Sequence, residues 1–320
     1  MEIISNPSQG EIKKAAQALK DGYLVAFPTE TVYGLGADAA NKTAVEKIYK
    51  SKGRPVDHPV IVHISNINLL DKWAKEIPAY AIKLARTFWP GPMTLILPRT
   101  ELAKNFITGG QSNVGIRIPN QVVGLTLLSE FEKQGGLGVA APSANRFGAV
   151  SPTTAQAVED ELGEYLSSND QILDGGICEV GLESTIIDCT GSQPIILRPG
   201  AITAAMIFET THLEPVSSKK VDIKAPGLLE SHYSPLAKVI LDQTPEYGDG
   251  LIALSNIKTP DGVTRLASPK NNEEYAKILY QALRSADEQS IKVVHAHLPT
   301  GSDIALAIRD RLTKASVNIS

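Results

Sequence analysis

Five residues, Tyr23-Leu-Val-Ala-Phe27, followed at once by Pro28, constrain this chain more than any other stretch. The apolar run reads as a buried strand, and Pro28, which has no N–H to offer a ladder, marks its exit. Thr29, Glu30, Thr31 and Tyr33 then fall on a loop at the C-terminal end of that strand, where open α/β sheets hold their ligands. Gly34 and Gly36 would let the backbone come close to whatever is bound. The same residue types also build ordinary turns, so this stretch alone leaves both readings open.

A basic cluster follows, made of Lys42, Lys47, Lys50, Lys52 and Arg54. Thr43 and Glu46 have the spacing of a capping box, which predicts a helix from 43 to about 51, ended by Gly53. Lysines in a last helical turn suit the helix dipole, so Lys47 and Lys50 need no ligand to explain them. Arg54 differs. It stands between Gly53 and Pro55, just before a second apolar run, Pro59-Val-Ile-Val-His-Ile64, and is placed to meet phosphate or carboxylate with its two-armed guanidinium.

The pattern of a short apolar strand, a proline and then small polar residues recurs in Gly138-Val-Ala-Ala-Pro-Ser-Ala-Asn145, followed by Ser151-Pro-Thr-Thr154. Such a loop offers backbone N–H groups and the Ser143 and Asn145 side chains to an anion. Gly181-Leu-Glu-Ser-Thr-Ile-Ile-Asp188 and Ile195-Ile-Leu-Arg-Pro-Gly200 put Ser184 at the head of one strand and Arg198 at the tail of another. Arg117, inside Val114-Gly-Ile-Arg-Ile-Pro119, is a charge in an apolar strand and needs an anionic partner, either a ligand or a carboxylate of the protein. His63 lies on a strand whose alternation could equally point it to solvent, and Glu30 could position an amine or accept its proton.

These motifs, FPTETVYGLG, KGRPVDHPVIVHI, WPGPMTLIL, VGIRIP, APSAN with SPT, ESTIID, LRPG and APGLLESHYSP, cover most of residues 20 to 236 and in this order resemble the YrdC family, in its longer two-domain form. The resemblance implies a twisted, open, mixed α/β sheet with a concave active-site face. It also implies an enzyme that joins L-threonine, bicarbonate or CO2, and ATP into threonylcarbamoyl-AMP with release of pyrophosphate. That product feeds a downstream transferase that modifies tRNA, so tRNA contact is indirect. By resemblance Lys50, Lys52 and Arg54 face the triphosphate with Mg2+, Lys52 and Arg54 being the catalytic cations, and Ser143, Asn145, Ser151 and Arg198 lie near the nucleotide. Thr29, Thr31, His63, Arg117 and Ser184 surround threonine, whose carboxylate pairs with Arg117. No covalent nucleophile is expected, because an attack of carbamate oxygen on the α-phosphate needs cations, N–H donors and orientation.

Outside the motifs, Ser8 and Glu11 form another capping box, and Ile12, Ala15, Ala16 and Leu19 share one helical face. Helices near 78–88 and 122–131 alternate with strands near 94, 116, 139, 172, 186 and 196. The domain thus read as 1–208 is followed by a stretch, 209–237, where periodicity fails and Pro215, Pro226, Gly227 and Pro235 gather. This is a connection. In the two-domain family it folds back over the active site, which makes His232 and Tyr233 candidates for closing on the nucleotide. Residues 238–320 read as a small Rossmann-like β/α unit without the glycine fingerprint.

Composition narrows the remaining classes. The 320 residues are too many for one average domain. Net charge of −4 and 5% aromatics argue against a rival role as an RNA-binding sheet, although a local basic concavity would be compatible with both. The related carbamoyl-adenylate enzymes of hydrogenase maturation carry zinc-finger segments, and two cysteines cannot supply them. No P-loop, nucleophile elbow or protein metal site is evident; His295 and His297 lack neighbouring ligands. Without a signal-like or bilayer-length apolar run, a cytosolic protein is expected.

Overall fold

The computed structural model describes residues 3–217, 223–224 and 233–317. Among them, strands β1 (Ile3–Ser5), β2 (Val25–Phe27), β3 (Gly34–Asp38), β4 (Ile61–His63), β5 (Met93–Pro98), β6 (Asn113–Arg117), β7 (Val139–Ala140), β8 (Gln171–Asp174), β9 (Thr185–Asp188), β10 (Ile195–Arg198) and β11 (Val216–Ser217) form one mixed sheet. Their order is β1-β8-β2-β3-β7-β4-β6-β5-β9-β10-β11.

Strand alternation decides what each face does. Along β2, Val25 and Phe27 enter one apolar cluster with the helices Gln9–Lys20 and Val122–Lys133, while Ala26 enters the cluster on the other face. Along β5, Met93, Leu95 and Leu97 belong to the large core, whereas Thr94 and Ile96 look the other way. β4 and β6 pair in parallel with His63 opposite Arg117, and Val62, Val114 and Ile116 fill the core. The polar residues of these three strands are therefore delivered together to the face opposite the core.

Helix ends largely follow the sequence. Ser8 caps the first helix reciprocally with Glu11. The helix Lys42–Lys52 starts one step earlier than its predicted box: Asn41, not Thr43, is the N-cap, accepting from the Ala44 N–H at 3.2 Å. Gly53 ends it at φ 62°. The stretch read as an aperiodic connection begins later than 209, because helix Ala204–Thr211 packs against helix Ala79–Phe88 and β11 then extends the sheet beside β10. Gly36 serves packing and not a ligand: a Cβ there would meet Val139 and Phe27 at 2.8 and 2.9 Å.

The C-terminal unit is a parallel four-stranded sheet, β12 (Lys238–Leu241), β13 (Gly250–Ile252), β14 (Thr264–Ala267) and β15 (Val293–Ala296), in the order β12-β15-β13-β14. β14 was not foreseen from its sequence, where Arg265 interrupts the apolar pattern; the guanidinium is absorbed by backbone carbonyls of Ala253, Leu254, Ile257 and Ala267. Helices Asn272–Glu288 and Ala305–Ser316 pack on this sheet, and their outward faces meet the first unit. His295 is buried and bonded to Asp249 and to the Gln243 carbonyl, so it is a core histidine.

Candidate functional site

An open cavity lies on the face carrying the polar alternates of β4 and β6. Three guanidinium groups, from Arg54, Arg117 and Arg198, line it, and they come from stretches far apart in the chain. Thr29, His63, Ser143, Ser184 and Tyr233 share the same walls. Eight of the residues expected to contact ligands, together with Tyr33 and Gly34, therefore open onto a single hollow. His232 lies outside the described residues.

Arg54 is held by the backbone turn that Gly53 begins. Its Nη2 donates to the Pro59 carbonyl at 3.0 Å and its guanidinium lies 5.7 Å from the Phe147 ring, while Nε is buried without a hydrogen-bond partner. His63 is also buried with Nδ1 unpartnered, its ring edge-on to Phe27 at 5.9 Å. Burial, and then the nearby Arg117 charge, push its pKa down to about 3, so the imidazole is neutral. The solvent-facing alternative for His63 is thereby removed. Orphaned buried polar atoms beside a cavity mark places where a ligand supplies the missing bond.

Arg117 has found a partner within the protein. Its Nη2 lies 2.9 Å from Glu30 Oε1, Nε donates to the Gly91 carbonyl, and Glu30 Oε2 accepts the Asn120 N–H at 2.9 Å. The carboxylate required by Arg117 is thus at least in part Glu30. Ser184 and Arg198, assigned from sequence to opposite ends of the site, are in contact: Arg198 Nη2 donates to the Ser184 carbonyl at 2.9 Å and to its Oγ at 3.2 Å. Ser184 Oγ also meets Thr94 Oγ1 at 2.7 Å, the polar alternate of β5.

Five other expected contact residues do not line the cavity. Thr31 is fully buried, and its hydroxyl meets Thr29 Oγ1 at 2.8 Å, so it builds the loop after β2. Lys50 is exposed on the last helical turn. Lys52 is buried, and its ammonium is spent on the carbonyls of Ser143, at 2.6 Å, and Asn145. Burial first, and then Arg54, hold its pKa well below the usual lysine value. Asn145 ties its own loop through the Arg146 and Ala149 carbonyls, leaving Oδ1 buried and unpartnered. Ser151 donates to Glu183 at 2.7 Å. Lys52, Asn145 and Ser151 thus shape the loop that presents Ser143.

Glu183 is the wall residue that the sequence reading passed over. It lines the cavity and accepts from Ser151, Tyr280 and Arg311, the last two belonging to the C-terminal unit. Burial alone would raise its pKa, but the Arg311 and Arg198 charges and the Ser151 hydroxyl outweigh it and hold the carboxyl down to about 2. The connection touches the first unit at two described points, of which only Tyr233 reaches the cavity. Ile223 packs with Ile96 and Ile186, and Lys224 is gripped by Gln111 in both directions and by Asp57 at 2.8 Å. Tyr233 lies against the wall at φ 64°, a backbone region costly for an aromatic residue, with its ring stacked 5.6 Å from Tyr280.

Residues 17–200 match the Sua5, YciO and YrdC family, described as telomere recombination, and residues 202–317 match the threonylcarbamoyl-AMP synthase C-terminal domain. A threonylcarbamoyl-AMP synthase of Pyrococcus abyssi is 40% identical over 96% of this chain and 94% of its own length. That of Bacillus subtilis is 37% identical over 98% and 95%. The crystal structure of Pyrococcus abyssi Sua5 complexed with L-threonine superposes with a TM-score of 0.89, at 37% identity, over 99% of this chain and 98% of that one. No helix among the described residues is long and apolar enough to cross a membrane. The chain belongs to the Sua5 and YrdC family of threonylcarbamoyl-AMP synthases.

Proposed function

We propose that the protein is a nucleotidyltransferase of the cytosol that makes L-threonylcarbamoyl-AMP from L-threonine, bicarbonate or CO2, and ATP. The threonine amine attacks the carbon of the one-carbon unit to become a carbamate, releasing a proton when that unit is CO2 and water when it is bicarbonate. A carbamate oxygen attacks the α-phosphorus of ATP, the bond to the β-phosphate oxygen breaks, and pyrophosphate leaves. The product then passes to a transferase that places threonylcarbamoyl on tRNA adenosine. The threonine complex of the Pyrococcus abyssi relative supports the choice of amino acid.

The observation that carries this reading is the convergence of Arg54, Arg117 and Arg198 with Ser143 and Ser184 on one cavity. Such a set suits a reaction that gathers carboxylate, carbamate and triphosphate, whose mutual repulsion fixed cations offset. In our reading Arg117, His63, Thr29 and Ser184 receive threonine, while Arg54, Ser143 and Arg198 meet the phosphates and Tyr233 closes over them. Lys52 acts on the nucleotide through the loop it clasps, and direct contact would require it to release two carbonyls. Lys50 takes no part.

Mg2+ fits as a companion of the triphosphate. Among the described residues no group of three or more His, Cys, Asp or Glu could hold a metal ion, and the cavity carboxylate Glu183, like the Glu30 carboxylate paired with Arg117, is engaged by an arginine. The ion's ligands would be phosphate oxygens, where it supplies charge neutralisation. The test is pyrophosphate release from ATP with Mg2+. Release that depends on both threonine and bicarbonate supports the reading; release indifferent to threonine sinks it.

A further inference from the structure

Arg311 occupies the apolar side of helix Ala305–Ser316, where Ile308, Leu312 and Ala315 are buried, and is itself 1% exposed. A guanidinium in such a place must be paired. Its Nε donates to Glu183 Oε2 at 2.9 Å, and Nη1 donates to the Pro199 carbonyl at 3.1 Å and to Asp310 Oδ2 at 2.6 Å. Its Cζ lies 5.3 Å from the centre of the Tyr233 ring. One side chain of the C-terminal unit therefore touches three separate stretches: the loop before β9, the turn after β10, and the connection.

Each of those stretches carries a wall residue. Glu183 and Ser184 are neighbours in the first, Arg198 precedes Pro199 in the second, and Tyr233 belongs to the third. None of the described residues 238–317 lines the cavity. Glu183 also accepts from Ser151 at 2.7 Å and Tyr280 at 2.9 Å, which ties in the loop presenting Ser143. A buried ion pair adds little net stability over a well-packed apolar pair of the same volume, because desolvation offsets its attraction. What it does supply is direction: a planar fork with several donors fixes its acceptors in one relative geometry.

We propose that Arg311 is a positioning residue for the nucleotide site, holding Glu183, the Pro199 turn and Tyr233 in the arrangement that forms its wall. The C-terminal unit is then a working part of the active centre without touching substrate. This rests on the proposed synthesis of threonylcarbamoyl-AMP.

The test compares the full-length protein with Arg311→Met, which strands the buried Glu183 carboxylate, and with Glu183→Gln/Arg311→Met, which removes both members of that ion pair. Thermal midpoints and KM for ATP in pyrophosphate release are measured for each. The double variant is expected to recover the wild-type midpoint while its KM for ATP remains about tenfold raised, as in Arg311→Met. A merely structural role lowers the folded fraction and hence the apparent kcat, leaving KM unchanged. KM within twofold of wild type in the double variant overturns the proposal, and this variant decides alone where Arg311→Met does not fold. A wild-type protein that releases no pyrophosphate with threonine sinks the functional reading instead. Calorimetric ATP binding by the same variants then decides, about tenfold weakening supporting the role of Arg311 and unchanged affinity overturning it.

Discussion

Arg117, in the cavity wall, meets Glu30 at 2.9 Å, each side chain 5% exposed, although 86 intervening positions separate them. The loop after β2 and the end of β6 are thereby locked to each other across the sheet. The pair also leaves the guanidinium poised beside the cavity with its own charge already balanced. An incoming carboxylate at Arg117 therefore competes with Glu30 or shares the cation with it.

Removing one member should cost far more than removing both. Arg117→Ala strands a buried carboxylate and should lower stability by about 3–5 kcal/mol, while Glu30→Gln/Arg117→Met should regain most of that. Urea titrations measure the difference, and equal losses in the two variants would show that the pair is not desolvated in solution.

Arg54 presents the opposite case, a cavity cation with one backbone bond and an unpartnered Nε. Arg54→Ala should lower kcat/KM for pyrophosphate release by about 10²–10³-fold, with a stability loss of only about 1 kcal/mol. Retention of more than half the activity would remove Arg54 from the phosphate site.

Acid should weaken the fold before the carboxylates titrate. His63 has a folded pKa of about 3 against 6.5 ordinarily, so the folded state resists a proton that the unfolded chain accepts. Its contribution is complete above pH 6.5 and falls as pH drops towards 3. Between the ordinary value and about pH 5 the loss is about 2 kcal/mol. His63→Gln should flatten that part of the stability profile, and a drop of unchanged size would assign it to other groups.

Gly181 packs its backbone tightly against helix Asn272–Glu288 of the C-terminal unit. At φ 78° it places its Cα so that a Cβ would lie 2.5 Å from Lys277 Cα and 2.6 Å from the Ala276 carbonyl oxygen. Gly181→Ala should lower the thermal midpoint and raise KM for ATP together, because the shift it forces separates Glu183 from Tyr280 and Arg311. An unaltered KM would show that the units tolerate displacement without effect on the site.

Much of the site was legible because strand exits carry their chemistry in sequence. Pro28 after Phe27 and Pro142 after Ala141 announced the loops of Thr29 and Ser143, and Arg117 stood out as a charge in an apolar run. Family resemblance supplied the division between threonine and nucleotide, which spacing does not contain. The contact between Ser184 and Arg198 depends on pairing of β9 with β10, and shows how two residues placed at opposite ends belong to one wall. The Ser143 and Asn145 carbonyls that Lys52 clasps were not legible, because a lysine holding two carbonyls and a lysine reaching for phosphate have the same local sequence.

Glu183, Tyr280 and Arg311 lay beyond sequence reasoning for a different reason. Arg311 did carry a signal, since it sits among Ile308, Leu312 and Ala315 on a helix face that should be apolar, yet nothing local names its partner. The order of residues alone determined most of the strands around the site, their exits and the polar alternates, because backbone geometry makes these properties of a few neighbouring positions. Only the tertiary structure decided which cation stays with a protein carboxylate and which remains for a ligand. That choice is made by burial and distance between segments remote in the chain, and neither exists before the sheet has closed over its core.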